Sequence, residues 1–287
     1  MSHFYSIFAK RTRMAIQPFV VEVDYVSDTL CEAIIPNHGD LIANMYVKGV
    51  SNIASFQIVI NDEIIQSFTG EYIKMKQFLE TPKQKSNCLT DSEYTVIPCK
   101  KYLPVFPFIK LRIEMKTPQK PSILLDYIFL EKPPVYKDML IEQVTEIFTD
   151  QRRIEMNLKH PVKEMYIIVR DQSQTDMSNL LTVTGDTQLK SIKFEMNENI
   201  KFDLPAIYFS KVQPMDYHSR VPVSPYIFYT YSFALDPESP FPTGTINMGR
   251  IKHQVLTLTT TDNAPKYIKV YVTGYNVIAS DGKLYFT

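Results

Sequence analysis

Apolar and polar residues alternate with a period of two along most of this 287-residue chain. Such alternation is typical of β-strands that bury one face. The pattern predicts roughly fifteen short strands, and the most β-rich run is YIFYTYSFAL at 226–235. Only one or two short helices are predicted, and none recurs between successive strands. Parallel βαβ units are therefore excluded, and an all-β sandwich, jelly roll or barrel is predicted.

Three segments carry more specific local signals. The run ASFQIVINDEIIQSFTG at 54–70 predicts a hairpin with Asn61-Asp62 at its turn. The run YIKMKQFLE at 72–80 has apolar residues at helical spacing and predicts the one clear helix of the first half. The run AIYFSKVQP at 206–214 predicts a single helical turn.

The two halves of the chain end alike, which indicates two similar β-domains. Each half closes with a Pro-containing loop followed by an aromatic and aliphatic strand, ILLDYIFLEK in the first and KYIKVYVTGYNVI in the second. The predicted division is an N-terminal arm at 1–15, a first domain at 16–132, a linker at 133–150 and a second domain at 151–287. The pattern within the linker fits either a short helix or the entry to the second domain.

Composition supports a sheet protein and gives no sign of a nucleic-acid partner. Aromatic residues make up 12% of the chain, with 18 Tyr, 17 Phe and 19 Pro against 8 Gly. Pleated sheets accept this mixture, with the prolines at strand ends and in loops. Acidic and basic residues balance at 31 each, so no net field attracts nucleic acid. The densest basic patch, FAKRTRM at 8–14, is interpreted as a solvated terminus.

Cysteine usage indicates a reducing compartment. The three cysteines, Cys31, Cys88 and Cys99, form no C-x-x-C pair, and their odd number argues against a disulfide framework. The first residues lack the apolar core of a signal peptide. No run approaches the ~20 apolar residues of a membrane span.

No motif for catalysis, metal binding or cofactor binding is found in the chain. The five histidines stand singly, and His38-Gly39-Asp40 is better explained as a tight turn than as a catalytic dyad. Neither a phosphate-binding glycine loop nor a G-x-S-x-G element occurs. We therefore predict a chain that is not an enzyme, with no cofactor, no small-molecule substrate and no specific nucleic-acid partner.

Six segments, in order along nearly the whole chain, resemble the major capsid proteins of the nucleocytoplasmic large DNA viruses, of the iridovirus, phycodnavirus and asfarvirus types. They are IPNHGDLIANMYVKG at 35–49, VINDEIIQSFTGEYIKMKQFL at 59–79, IPCKKYLPVFPFIKLRIEMK at 97–116, LKHPVKEMYIIVRD at 158–171, YFSKVQPMDYHSRVPVSPYIFYTYSFALDPESPFPTGTINMGRI at 208–251 and YNVIASDGKLYF at 275–286. One such segment is a weak signal, whereas six in the same order are a strong one.

The resemblance implies two tandem eight-stranded antiparallel jelly rolls that trimerise into pseudo-hexagonal capsomers and tile an icosahedral shell. It places the protein in the virion capsid after assembly in the host cytoplasm. The implied partners are other copies, first in the homotrimer and then between capsomers, together with minor capsid proteins or inner membrane proteins. The chain is an unusually short form with compact loops, so a minor capsid or scaffold protein of the same fold is an alternative.

Three Pro-rich loops, at 36–40, 214–225 and 236–245, are the candidate contact surfaces between copies. Their prolines lower the entropy cost of ordering a loop on binding, although the same prolines also serve simply to end strands. The candidate contact residues are Pro36, Asn37, His38, Asp40, Pro214, Tyr217, Arg220, Pro237, Pro242 and Arg250.

Two alternatives from other functional classes remain open from the residues alone. A β-sandwich module that binds glycans or a receptor would use exposed aromatic side chains. A cupin-like enzyme would need a metal cluster, for which the second half offers only His160, His218 and His253.

Overall fold

A computed structural model of the protein describes residues 14–81, 94–99, 103–105, 108–131, 138–172, 188–223, 227–279 and 283–284. These residues form nineteen strands, all paired antiparallel, in four sheets. The strands of the first half are β1 (Met14–Val21), β2 (Asp24–Tyr25), β3 (Leu30–Ile34), β4 (Leu41–Lys48), β5 (Ile53–Ile60), β6 (Glu63–Thr69), β7 (Tyr94–Val96), β8 (Leu103–Pro104), β9 (Ile109–Met115) and β10 (Ser122–Leu130).

The second half contains the other nine strands. They are β11 (Asp138–Thr149), β12 (Arg153–Met156), β13 (Pro161–Asp171), β14 (Leu189–Met196), β15 (Asn199–Pro205), β16 (Tyr229–Ser232), β17 (Ile246–Asn247), β18 (Gln254–Thr260) and β19 (Lys266–Ala279).

Both halves have the same strand order. In the first half the sheets are β1-β10-β4-β7 and β3-β9-β5-β6, with the short β8 and β2 added to β4 and β3. In the second half they are β11-β19-β13-β16 and β12-β18-β14-β15, with the short β17 added to β13. If the eight principal strands of each half are counted in chain order, both halves read 1-8-3-6 and 2-7-4-5. This is the eight-stranded jelly roll, so the predicted fold class of two tandem jelly rolls is confirmed.

In both halves a helical segment connects principal strand 5 to principal strand 6. In the first half it is helix α1 (Gly70–Glu80), which starts two residues before the predicted helix. The Thr69 hydroxyl caps it by accepting from the Tyr72 amide at 3.3 Å. Gly70 is required at the first turn, because a Cβ there would lie 1.8 Å from the Ile53 carbonyl oxygen.

In the second half a π-helical turn (Tyr208–Val212) runs directly into α2 (Gln213–Tyr217), which is longer than the single turn predicted at 206–214. A further 3₁₀ turn spans Met248–Arg250, shortly before β18.

The predicted hairpin at 54–70 is present as β5 and β6, and its turn lies at Asn61-Asp62. Both turn residues have positive φ, 51° and 63°, as a two-residue hairpin turn with the twist of the strands requires. The second half places Asn197 and Glu198, with φ 47° and 68°, at the equivalent turn between β14 and β15.

The predicted linker at 133–150 is wrong for residues 138–149. They form β11, which pairs along its whole length with β19, from Asp138 opposite Ala279 to Thr149 opposite Ile268. The first strand of the second jelly roll therefore begins at Asp138 and not after residue 150. Of the predicted N-terminal arm at 1–15, residues 14–15 already belong to β1, and residues 1–13 lie outside the described residues. Residues 133–137 of the predicted linker also lie outside them.

One apolar core fills the second jelly roll, and a larger core joins the first jelly roll to the back of the second. The second core packs inward-facing residues such as Phe194, Leu256 and Val272 between its two sheets. The larger core includes Phe56 and Leu111 inside the first jelly roll but also Tyr271 of the second. The two jelly rolls therefore share buried surface. Cys31 and Cys99 are free thiols, and Cys88 lies outside the described residues.

Candidate functional site

The outer face of sheet β11-β19-β13-β16 is covered by β6 and α1 of the first jelly roll. We call this contact the seam. At its edge, Gln66 Nε2 donates to the Glu142 carbonyl oxygen at 2.5 Å, and Gln143 Nε2 donates to the Ile65 carbonyl oxygen at 3.3 Å. These two bonds tie β6 of the first jelly roll to β11 of the second.

Tyrosine side chains fill the middle of the seam. The Tyr72 hydroxyl on α1 lies 2.9 Å from Thr273 Oγ1 on β19, and the Tyr271 hydroxyl lies 2.9 Å from Thr69 Oγ1. The Tyr72 ring packs against the rings of Tyr166 and Tyr271, with centroids 6.0 and 5.5 Å apart. Burial raises the pKa of Tyr72 and of Tyr271, so both hydroxyls stay protonated at physiological pH.

A charged network lies beside these rings. Lys76 Nζ on α1 donates to Glu164 Oε1 and to the Tyr166 hydroxyl on β13, each at 2.9 Å. The Lys76 and Glu164 side chains are 3% and 1% exposed. Lys76 also pairs with Glu80 one turn along the helix at 2.5 Å.

The buried charges of Lys76 and Glu164 are both stabilised by neighbouring groups of opposite charge. Burial alone would raise the pKa of Glu164, but Lys76, Lys163 and His218 outweigh it and lower the pKa to about 2. Burial would likewise lower the pKa of Lys76, but the Glu164 and Glu80 carboxylates raise it well above its usual value. Both groups therefore carry their charge across the physiological range.

Two further contacts extend the seam at its ends. Glu71 Oε2 accepts from Lys269 Nζ at 3.0 Å and from the Tyr271 hydroxyl at 2.9 Å. At the other end of α1, the Arg220 guanidinium lies 4.0 Å from the centroid of the Phe78 ring. The seam thus joins the jelly rolls by hydroxyl pairs, ion pairs and stacked rings. This arrangement holds the two domains in one orientation.

The first predicted contact loop, at 36–40, is bonded to its own jelly roll. The Tyr127 hydroxyl donates to the Pro36 carbonyl oxygen at 2.7 Å, and Asp40 Oδ2 accepts from the Leu130 amide at 2.7 Å. Asp40 is half-buried and anchors the loop to β10, whereas Asn37 and His38 are exposed at its tip. The tight-turn interpretation of His38 and Asp40 agrees with this geometry.

The second predicted loop begins in α2. Pro214 is buried in that helix, which argues against a contact with another copy through its side chain. Tyr217 is half-buried. Arg220 is half-buried and engaged with Phe78, so it serves the seam.

The third predicted loop is held by its own hydrogen bonds. Asp236 Oδ1 accepts from the amides of Glu238 and Ser239, both at 3.1 Å, and Thr243 Oγ1 donates to the Asp236 carbonyl oxygen at 2.7 Å. Pro237 is buried, which argues against a contact role for that side chain too.

The remaining two predicted residues of this region keep some exposure. Pro242 is half-buried, and Arg250 is exposed at the end of the 3₁₀ turn. The structure also brings the second and third loops together, since Glu238 accepts from the Ser219 amide at 2.7 Å and from its hydroxyl at 2.6 Å.

The described residues contain no group of three or more His, Cys, Asp or Glu side chains arranged to hold a metal ion. Among the same residues, no helix combines the length and apolar character that a membrane span requires. His218 instead lies between two carboxylates, with Nε2 3.8 Å from Glu164 and Nδ1 3.4 Å from Glu238.

Two jelly rolls of equal strand order, locked side by side, define the double jelly-roll class. A family profile described as "Large eukaryotic DNA virus major capsid protein" matches residues 135–284. The chain belongs to this family. The family is one of structural capsid proteins and not of enzymes, in agreement with the predicted resemblance.

Individual relatives and solved structures point the same way. The chain is 31% identical over 189 residues to a major capsid protein of Pyramimonas orientalis virus, a match that covers 55% of this chain and 46% of the relative. It is 43% identical over 72 residues to one of Paramecium bursaria Chlorella virus 1, covering 25% of this chain and 16% of the relative. The chain thus spans about half the length of the first relative and less of the second.

The fold matches a PBCV-1 capsid chain with a TM-score of 0.79 at 17% identity, covering 97% of this chain and 98% of that one. It also matches the Faustovirus major capsid protein with a TM-score of 0.73 at 9% identity, covering 93% and 91%. At these identities the likeness concerns the fold.

Proposed function

We propose that the chain is a structural capsid protein that trimerises into pseudo-hexagonal capsomers and tiles an icosahedral shell. The observation that carries this proposal is the repeat of the jelly roll within one chain, held side by side by the seam. Three such chains supply six similar units around one axis, and a ring of this kind closes through head-to-tail contacts. Family membership supports the same role.

The predicted place of action is the capsid of the virion, after assembly in the host cytoplasm. The predicted partners are further copies of the chain, with minor capsid proteins or inner membrane proteins as additional candidates. Of the predicted contact residues, Asn37, His38 and Arg250 are exposed, and these three are the strongest candidates for contacts with other copies.

The test is the mass of the purified chain in solution, measured by light scattering behind a sizing column. We expect a stable species near three times the chain mass of 33.3 kDa. Electron microscopy of concentrated samples should then show hexagonal arrays. A monomer at every concentration would contradict the trimer and would favour a minor capsid or scaffold protein that needs a partner.

A further inference from the structure

The helical connections after strand 5 have very different surroundings in the two jelly rolls. In the first, α1 lies in the seam, and Tyr72, Met75 and Leu79 are each at most 1% exposed. In the second, the π-helical turn and α2 occupy the same place in the strand order. This connection leaves three large apolar side chains exposed: Ile207 at 63%, Val212 at 37% and Met215 at 65%. We call these three residues the helix stripe.

The two sheets that could receive such a helix also differ: within the described part of the chain, one outer face is covered and the other is not. The outer face of sheet β11-β19-β13-β16 is covered by α1. Its counterpart, sheet β1-β10-β4-β7, leaves Ile16 and Val20 on β1 exposed at 65% and 61%.

Cross-strand pairing extends this apolar surface across the sheet. Val20 is opposite Leu124, which is opposite Tyr46, and both of these are half-buried. Ile16 is opposite Ile128, which is already buried in a small apolar cluster with Leu41, so the accessible surface consists of Ile16, Val20 and the half-buried Leu124 and Tyr46. We call this surface the sheet face.

We infer that the helix stripe of one copy docks on the sheet face of a second copy. This contact would repeat between chains the packing that α1 and the second jelly roll make within one chain. The inference rests on the proposed trimer and names the surfaces that would build it. Its support is the equal strand order, which gives each chain two helical connections and two sheets that could receive them. Among the residues that the structure describes, only one helix packs on one of these sheets within the chain, so one helix and one sheet are left without a counterpart.

The two surfaces lie on different jelly rolls, so the contact is head-to-tail and not self-complementary. A head-to-tail contact builds a ring when its rotation closes. Closure at three copies would leave no helix stripe and no sheet face uncovered. The chemistry also suits association between chains, since Ile, Val and Met side chains bury apolar area without leaving a charge unpaired.

The test introduces one carboxylate on each surface. Met215→Glu alters the helix stripe and Val20→Glu alters the sheet face. Ile34→Glu is the matched control, because Ile34 is 62% exposed on the other sheet of the first jelly roll. We expect both surface variants to run at the mass of one chain and the control to remain trimeric. Far-UV circular dichroism should show the wild-type β-sheet signal in all three, although the monomeric variants should melt below the trimer because they lack the stabilisation that assembly gives. Ile207→Glu and Ile16→Glu replace any variant that fails to fold.

Mixing the two surface variants gives a second readout. Each variant retains one intact surface, so the mixture should form a dimer with one repaired contact, near twice 33.3 kDa at high concentration. Trimers that persist in both variants would overturn the inference while leaving the proposed capsomer intact. A mixture that stays monomeric would also overturn it. A wild-type chain that is itself monomeric would overturn the proposed trimer and the inference together.

Discussion

Lys76 and Glu164 form a buried ion pair that joins the two jelly rolls, with Lys76 Nζ 2.9 Å from Glu164 Oε1. Lys76 lies on the helix that follows β6, and Glu164 lies on β13, 88 residues further along the chain. The pair is surrounded by Tyr72 and Tyr166. Because water is excluded, each charge depends on the other for its stability.

Removal of one partner should therefore destabilise the chain strongly. Lys76→Met leaves Glu164 buried without its nearest cation, and we expect a loss of about 3–5 kcal/mol in the free energy of unfolding. Glu164→Leu combined with Lys76→Met should recover part of this loss. Denaturant unfolding measures both variants. The control is Lys193→Met, since the partly exposed pair of Lys193 and Glu195 (side chains 30% and 25% exposed) should contribute less than about 1 kcal/mol. Equal losses in Lys76→Met and Lys193→Met would contradict the prediction.

Acid should weaken the same pair in a defined pH window. The pKa of Glu164 is lowered in the folded chain from 4.5 to about 2. Its contribution to stability is complete above pH 4.5 and is lost as the pH falls towards 2, because the unfolded chain binds the proton first. One such group adds a slope of up to about 1.4 kcal/mol per pH unit.

The measurement is unfolding free energy against pH for the wild type and for Glu164→Gln, with Glu155→Gln at an exposed strand position as control. We expect the slope between these pH values to become shallower only in Glu164→Gln. An unchanged slope in that variant would assign the acid sensitivity to other carboxylates.

Gly70 should not tolerate any side chain. Alanine would place its Cβ 1.8 Å from the Ile53 carbonyl oxygen, which belongs to the backbone of β5 and cannot rotate away. We expect Gly70→Ala to cost about 3 kcal/mol or more, since α1 would have to move away from the sheet and out of the seam. Thermal unfolding measures the loss, with Lys74→Ala on the exposed side of α1 as control. A loss below about 1 kcal/mol would show that the helix adapts.

Glu198 offers a stabilising change. It holds φ at 68° in the turn between β14 and β15, a conformation that costs an L-residue roughly 1–2 kcal/mol. Glu198→Gly removes this strain but adds freedom to the unfolded chain, so we expect a net gain of about 0.5–1 kcal/mol. Differential scanning calorimetry tests it. Glu195→Gly, inside β14, should instead destabilise the chain.

Local patterns in the sequence identified the elements whose shape depends on near neighbours. The hairpin at 54–70 was predicted with its turn at Asn61-Asp62, because two-residue turns favour these residue types. Helix α1 was predicted from its apolar spacing. The strand at 138–149 was missed because its apolar residues, among them Val144 and Ile147, do not alternate regularly, and pairing with β19 decided its structure.

The candidate contact residues show the limit of the same reasoning. A proline in a loop predicts a rigid backbone, whether the loop lies at the surface or in the interior. The burial of Pro214 and Pro237 depends instead on which segments pack over them. The seam was not predicted at all. Lys76 and Glu164 are charged residues within amphipathic runs, and such residues usually lie at the surface.

The sequence by itself determined that this protein is built from strands and, through its ordered resemblance, that the strands form two jelly rolls. Alternation and turn chemistry act over a few residues, so they can be read from the chain directly. Only the tertiary structure decided which faces meet. The burial of Lys76 against Glu164 and the exposure of Met215 and Val20 depend on contacts between segments far apart in the chain. No local pattern contains that information, because the distance between such segments is set by the packing of whole sheets.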